Sequence, residues 1–140
     1  MRVIYIISLT YSLCFLGACA QSQFIKDLMK KMSYEDKCGQ MTQVTFEVIG
    51  KFPAPSDPSE NPINITKLVT AIKEKRVGSI LNTPYDTAQL AKTWQAIIKT
   101  VQDEALNHNL KIPILYGIDS IHGANYIREA TIFPQPISMV

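Results

Sequence analysis

The 140 residues carry a formal net charge of +2 and are 46% hydrophobic, a composition that fits a globular chain and excludes a disordered one. So small a charge, with no Lys/Arg-rich patch, gives no reason to expect a nucleic-acid partner. The densest basic clusters, Lys30-Lys31 and Lys73 to Arg76, read as solvated helix faces.

The chain opens unlike the rest. Arg2 is the only charge between Met1 and Gln23, Val3 to Leu16 is an uncharged and mostly apolar run, and Gly17-Ala18-Cys19-Ala20 follows it. A basic start, a short apolar stretch and a small-x-small junction predict a signal peptide over residues 1–20, cut before Gln21. A bilayer span would need ~20 apolar residues, more than this run supplies. Leu16-Gly17-Ala18-Cys19 also fits a bacterial lipid-attachment box, in which an acylated Cys19 would tie the chain to a membrane. Both processing routes stay open. Either implies export. With Cys14 and Cys19 in the signal, Cys38 is the one cysteine of residues 21–140, too few for an internal disulfide or a cysteine metal site. It reads as a small buried hydrophobe. The remainder suffices for one core but falls short of the roughly 250 residues of a complete (β/α)8 barrel.

Phe24, Ile25, Leu28, Met29 and Met32 recur at helical spacing, which predicts a helix over Ser22–Met32. Ser33, three residues before Asp36, predicts a capping box and a second helix running to Met41, with Gly39 allowing close packing. Thr42–Ile49 is rich in β-branched residues and reads as a strand. Lys51–Pro62 holds Pro53, Pro55, Pro58 and Pro62 and reads as a surface loop. Asn64-Ile65-Thr66 is an N-glycosylation sequon, meaningful in a eukaryotic secretory protein and accidental in a bacterial one. Ile65–Lys75 reads as a helix, Arg76–Asn82 as a short buried strand, and Asp86–Asn107 as the clearest helix, with Leu90, Trp94, Ile97, Ile98, Val101 and Ala105 on one stripe. Trp94 on that stripe reads as core rather than as a sugar platform. Pro113–Asp119 reads as a further buried strand. Strands separated by helices make βαβ units, and the fold class is α/β with a parallel sheet.

Ligands of parallel α/β sheets sit beyond the C-terminal ends of the strands. Asp119 falls there, just after Gly117. Its carboxylate suits sugar hydroxyls, since charged acceptors make the stronger hydrogen bonds. An Asp in that position is also a common Asx-turn or cap residue, and from pattern alone both readings stand. His122 reads as a structural residue or one that orients a neighbour. His108, at a helix end, stands at no ligand spacing to it, and Glu129, the nearest acidic candidate at ten residues from Asp119, falls in a segment with no assigned element, so no metal is expected. A phosphate loop, a Gly-x-Ser-x-Gly elbow and a His-Glu-x-x-His pair are all missing from the 140 residues.

Several ordered stretches carry a resemblance. Lys31-Met32-Ser33-Tyr34-Glu35-Asp36-Lys37-Cys38-Gly39-Gln40-Met41-Thr42-Gln43 is similar to the opening helix of the N-terminal domain of glycoside hydrolase family 3, the β-glucosidase type, with Cys38 in place of an aliphatic. Val77-Gly78-Ser79-Ile80-Leu81 resembles that family's Val-Gly-Ser strand. Pro113-Ile114-Leu115-Tyr116-Gly117-Ile118-Asp119-Ser120-Ile121-His122-Gly123 resembles its Gly-Ile-Asp-x-x-His-Gly strand, and Ala130-Thr131-Ile132-Phe133-Pro134 its Ala-Thr-x-Phe-Pro segment.

The resemblance implies that residues 21–140 are the first, incomplete part of a (β/α)8 TIM-like barrel. It implies retaining hydrolysis of terminal β-D-glucosyl residues in glucosides or glucan oligosaccharides, with no cofactor. The Asp nucleophile and Glu acid/base of the family are expected beyond residue 140, so no catalytic residue is assigned here. Asp119 matches the family aspartate that grips sugar hydroxyls. The 140 residues are therefore expected to be a truncated and, alone, inactive piece of an exported enzyme, whether extracellular, lysosomal or periplasmic. The alternative is a non-catalytic sugar-binding or interaction remnant of the same fold.

Overall fold

The computed structural model describes residues 22–57 and 59–135. The expected signal segment 1–20, with Cys19 and the cleavage junction, lies outside the described residues. The chain divides into two compact units, one ending at Met32 and the other starting at Ser33.

In the first unit, helix α1 spans Gln23–Lys31, within the expected Ser22–Met32. Asp27 holds one turn by accepting from Gln23 Nε2 at 2.9 Å and from Lys30 Nζ at 3.3 Å.

The second unit alternates helices and strands as expected. Helix α2 (Tyr34–Gln40) starts at the predicted capping box: Ser33 Oγ accepts from the Asp36 amide at 3.1 Å, and Asp36 Oδ2 accepts from the Ser33 amide at 2.8 Å. Strand β1 (Gln43–Thr45) is followed by helix α3 (Ile65–Val69), which runs on as a π-helical turn, Thr70–Glu74. Then come β2 (Ser79–Leu81), helix α4 (Ala91–Leu106) and β3 (Leu115–Gly117). The strands form one parallel sheet in the order β1-β2-β3, with Val44 opposite Ile80 and Ile80 opposite Tyr116.

The core lies between this sheet and helices α3 and α4. Leu68, Ala71 and Ile72 come from the α3 segment, Ile97, Val101 and Ala105 from α4, and Ile80 from the central strand. Phe46 and Ile49, just past β1, are fully buried with them. Gln102 of α4 clamps the approach to β3: its amide donates to Ile114 O at 2.8 Å and accepts from Ile114 N at 3.1 Å. Two glycines of the resembling motifs, Gly39 and Gly78, permit backbone contact. A Cβ on Gly39 would stand 2.4 Å from Arg76 O, and one on Gly78 would stand 2.2 Å from Gln40 O.

Three elements depart from expectation. The strand expected over Thr42–Ile49 ends at Thr45, because Phe46–Val48 closes into a 3-10 turn that drives Phe46 and Ile49 into the core. The helix expected from Asp86 starts only at Ala91. Tyr85 and Asp86 have φ of 55° and 52°, and Gln89 bridges instead to Ile127. The strand expected to be buried over Pro113–Asp119 is buried at Ile114, but Leu115 is 72% exposed on the outer edge of the sheet.

Candidate functional site

Because all three strands are parallel, Thr45, Leu81 and Gly117 end on the same side of the sheet. Two of these ends are locked together beyond the last ladder pair. Asn82, at φ 71°, donates its amide to Gly117 O at 3.0 Å, and its own carbonyl accepts from the Tyr116 hydroxyl at 2.8 Å. Burial, and then the Glu47 carboxylate nearby, push the Tyr116 hydroxyl above the usual tyrosine pKa range, so it stays a donor. Its ring meets Trp94 edge-on, with centroids 5.7 Å apart and planes at 87°. Trp94 is 8% exposed and donates Nε1–H to Tyr126 O at 3.0 Å. It is core, as read from its stripe. At Gly117 a Cβ would approach Leu81 Cδ1 to 3.2 Å, so a small residue suits the close packing of the two strand ends.

Asp119 lies two residues past β3 and is exposed. No hydrogen bond or ion pair engages its carboxylate among the described residues, so neither the Asx turn nor the cap is formed there. An unengaged carboxylate at the open end of a parallel sheet can accept hydroxyl hydrogen bonds from a ligand.

His122 has the opposite character. Its Nδ1 meets Phe133 O at 3.0 Å and its Nε2 meets Gln135 Nε2 at 3.0 Å, a pair that fits a ring protonated at Nδ1 and accepting at Nε2. The Phe133 amide in turn donates to His122 O at 2.7 Å. Gly123, at φ 114°, continues this antiparallel contact through its bridge to Ile132. His122 thus ties the chain three residues past Asp119 to the Phe133–Gln135 segment. His108 sits past the C-terminus of α4, which returns against the strand direction, so the two histidines stand at opposite ends of the sheet. Glu129 is exposed in a turn at φ 69°. Among the described residues no three His, Cys, Asp or Glu side chains converge as metal ligands would. Asn64 caps α3, with its Oδ1 accepting from the Lys67 amide at 3.1 Å.

Sequence reasoning missed Asn82, which it read only as a strand terminator. An Asn closing a short apolar stretch and standing ahead of Thr-Pro is a signal for a left-handed residue. Here that residue ties two strand ends and leaves its Oδ1 buried without a partner among the described residues.

The sequence matches the model of the glycosyl hydrolase family 3 N-terminal domain over residues 33–140. The chain belongs to this family. It is also 36% identical over 123 residues to a lysosomal beta glucosidase of Dictyostelium discoideum, an alignment covering 82% of this chain and 14% of that protein. A periplasmic beta-glucosidase of Salmonella typhimurium is 28% identical over 116 residues, covering 82% of this chain and 12% of the relative. The chain thus spans 12–14% of the length of these curated relatives. Family 3 membership carries the fold class: the parallel strands and their helices belong to a TIM-barrel type α/β domain.

Proposed function

We propose that the chain supplies the opening of the barrel domain of an exported β-glucosidase, a retaining glycoside hydrolase acting on terminal β-D-glucosyl residues. The observation that carries this reading is the family match over residues 33–140, joined by two relatives that are themselves named beta-glucosidases. Export is supported by the lysosomal and periplasmic descriptions of those relatives and by the signal-like residues 1–20, removed before Gln21 or processed at Cys19.

In this reading Asp119 accepts hydrogen bonds from hydroxyls of the sugar being cleaved. The nucleophile and acid/base lie outside these 140 residues, and His122 anchors the segment that follows Asp119. Gripping the hydroxyls matters to rate where the bonds tighten as the ring flattens toward the oxocarbenium-like transition state. The test is Asp119→Ala in the full-length protein, assayed on an aryl β-glucoside. A large fall in kcat/KM is expected, and an unchanged value overturns the assignment. No detectable turnover by the parent protein on any β-glucoside, together with retained glucan binding, would favour the non-catalytic alternative.

A further inference from the structure

The sequon Asn64-Ile65-Thr66 is the first turn of a helix, and its asparagine already has a task. Asn64 has extended backbone angles of φ −87° and ψ 109°, and its Oδ1 caps α3 by accepting from the Lys67 amide at 3.1 Å. The backbone around it is anchored too: the Asn64 amide donates to Ile49 O at 2.8 Å, and its carbonyl accepts from Leu68 N at 2.9 Å. The side-chain Nδ2 is in a different position. It has no partner among the described residues, and although Asn64 is half-buried this atom is not sealed from solvent. Ile65 is 55% exposed, and Thr66 is exposed as well. The amide group is therefore divided: the oxygen serves the helix and the nitrogen is free.

We propose that Asn64 is N-glycosylated at Nδ2 and that the glycan and the helix cap coexist on this one side chain. This rests on the export reading in its eukaryotic form, lysosomal or extracellular, since the lipid-linked donor for this sequon is met in the eukaryotic secretory lumen and not in a bacterial periplasm. The donor is a lipid-linked oligosaccharide diphosphate. In the transfer a bond forms between Nδ2 and the sugar C1, the C1–oxygen bond to the diphosphate breaks, one Nδ2 proton is lost, and the lipid diphosphate leaves. No oxidant or reductant is needed. The product amide keeps its carbonyl oxygen, and that oxygen is the atom that accepts from Lys67 N. Asn64 follows β1 and opens α3, so it lies at the same end of the sheet as Asp119. A glycan there borders the substrate side, and the sequon's Thr66 also lines the groove beside the β1 edge.

The experiment expresses the full-length protein in eukaryotic secretory cells and reads tryptic peptides by mass. A peptide beginning at Gln21 reports entry and signal removal. The expected result is that peptide together with a glycan on Asn64, retained in Thr66→Ser and lost in Thr66→Ala. Signal removal with an unmodified Asn64 overturns the glycan while leaving export intact. A chain that keeps residues 1–20 overturns both. The cap is read separately, among variants that all lack the sugar. Asn64→Asp keeps an acceptor and is expected to melt close to Thr66→Ala, which keeps Asn64 without the sugar, whereas Asn64→Ala melts lower. Equal melting of Asn64→Asp and Asn64→Ala overturns the shared role of the side chain.

Discussion

Asp119 and His122 are three residues apart and differ in what holds them. The carboxylate of Asp119 has no partner among the described residues, whereas both ring nitrogens of His122 are in use. Removing Asp119 should therefore leave folding almost untouched and act on the substrate. Replacing it by alanine forfeits one or two charge-assisted hydrogen bonds of ~1.5–3 kcal/mol each, which predicts a fall in kcat/KM of at least about tenfold. Steady-state kinetics with an unchanged melting temperature would bear this out. His122→Ala should do the reverse first. It releases two hydrogen bonds worth about 1 kcal/mol each, lowers thermal stability, and reduces activity less than Asp119→Ala, through a loosened segment after β3. A loss of activity equal to that of Asp119→Ala with no loss of stability would contradict the role given to His122. The sequence could not divide these roles. An aspartate and a histidine after an apolar strand look alike until their partners are seen.

At the scale of elements, features set by neighbours in the chain were readable and those set by distant contacts were not. The Ser33–Asp36 box is local and forms as the spacing predicts. The late start of α4 is not local. Gln89 is occupied by Tyr126 and Ile127, far along the chain, which no periodicity in residues 86–90 announces. The same holds for the turn after β1, where burial of Phe46 outweighs a β-branched run. The capping box also makes a pH prediction. The Ser33 amide, with further help from Arg76, whose Nε lies 3.2 Å from Oδ1, holds the Asp36 carboxyl below the usual range. A depressed folded pKa means stability that is present above the unfolded value, about 4, and is lost as pH falls through the folded one. The stability gap between the protein and Asp36→Ala should be near full size at pH 7 and shrink below about pH 4. Unfolding measured across that window would show it, and a gap that grows on acidification would refute it.

For the whole molecule, the alternation of helical and strand-like runs was enough to predict a parallel α/β sheet, because each strand must be carried back by a helix. The two outer strands were not distinguishable from the inner one by pattern. Leu115 and Ile80 read as equally buried, yet Ile80 is fully covered and Leu115 is 72% exposed. Among the described residues β1 and β3 each have one unpaired edge. Beside β1 a groove of about 590 Å³ is lined by Val44, Val48, Ala71 and Val77. Open strand edges next to apolar surface are templates for association. The 140 residues produced alone are thus expected to self-associate and to show no glucosidase activity, while the full-length protein stays dispersed and active. Light scattering and an aryl β-glucoside assay on both preparations test this together. A monodisperse, cooperatively melting fragment would mean that the core between α3, α4 and the sheet suffices by itself. A fragment that cleaves the glucoside would place catalytic groups within these residues and overturn their proposed placement outside them.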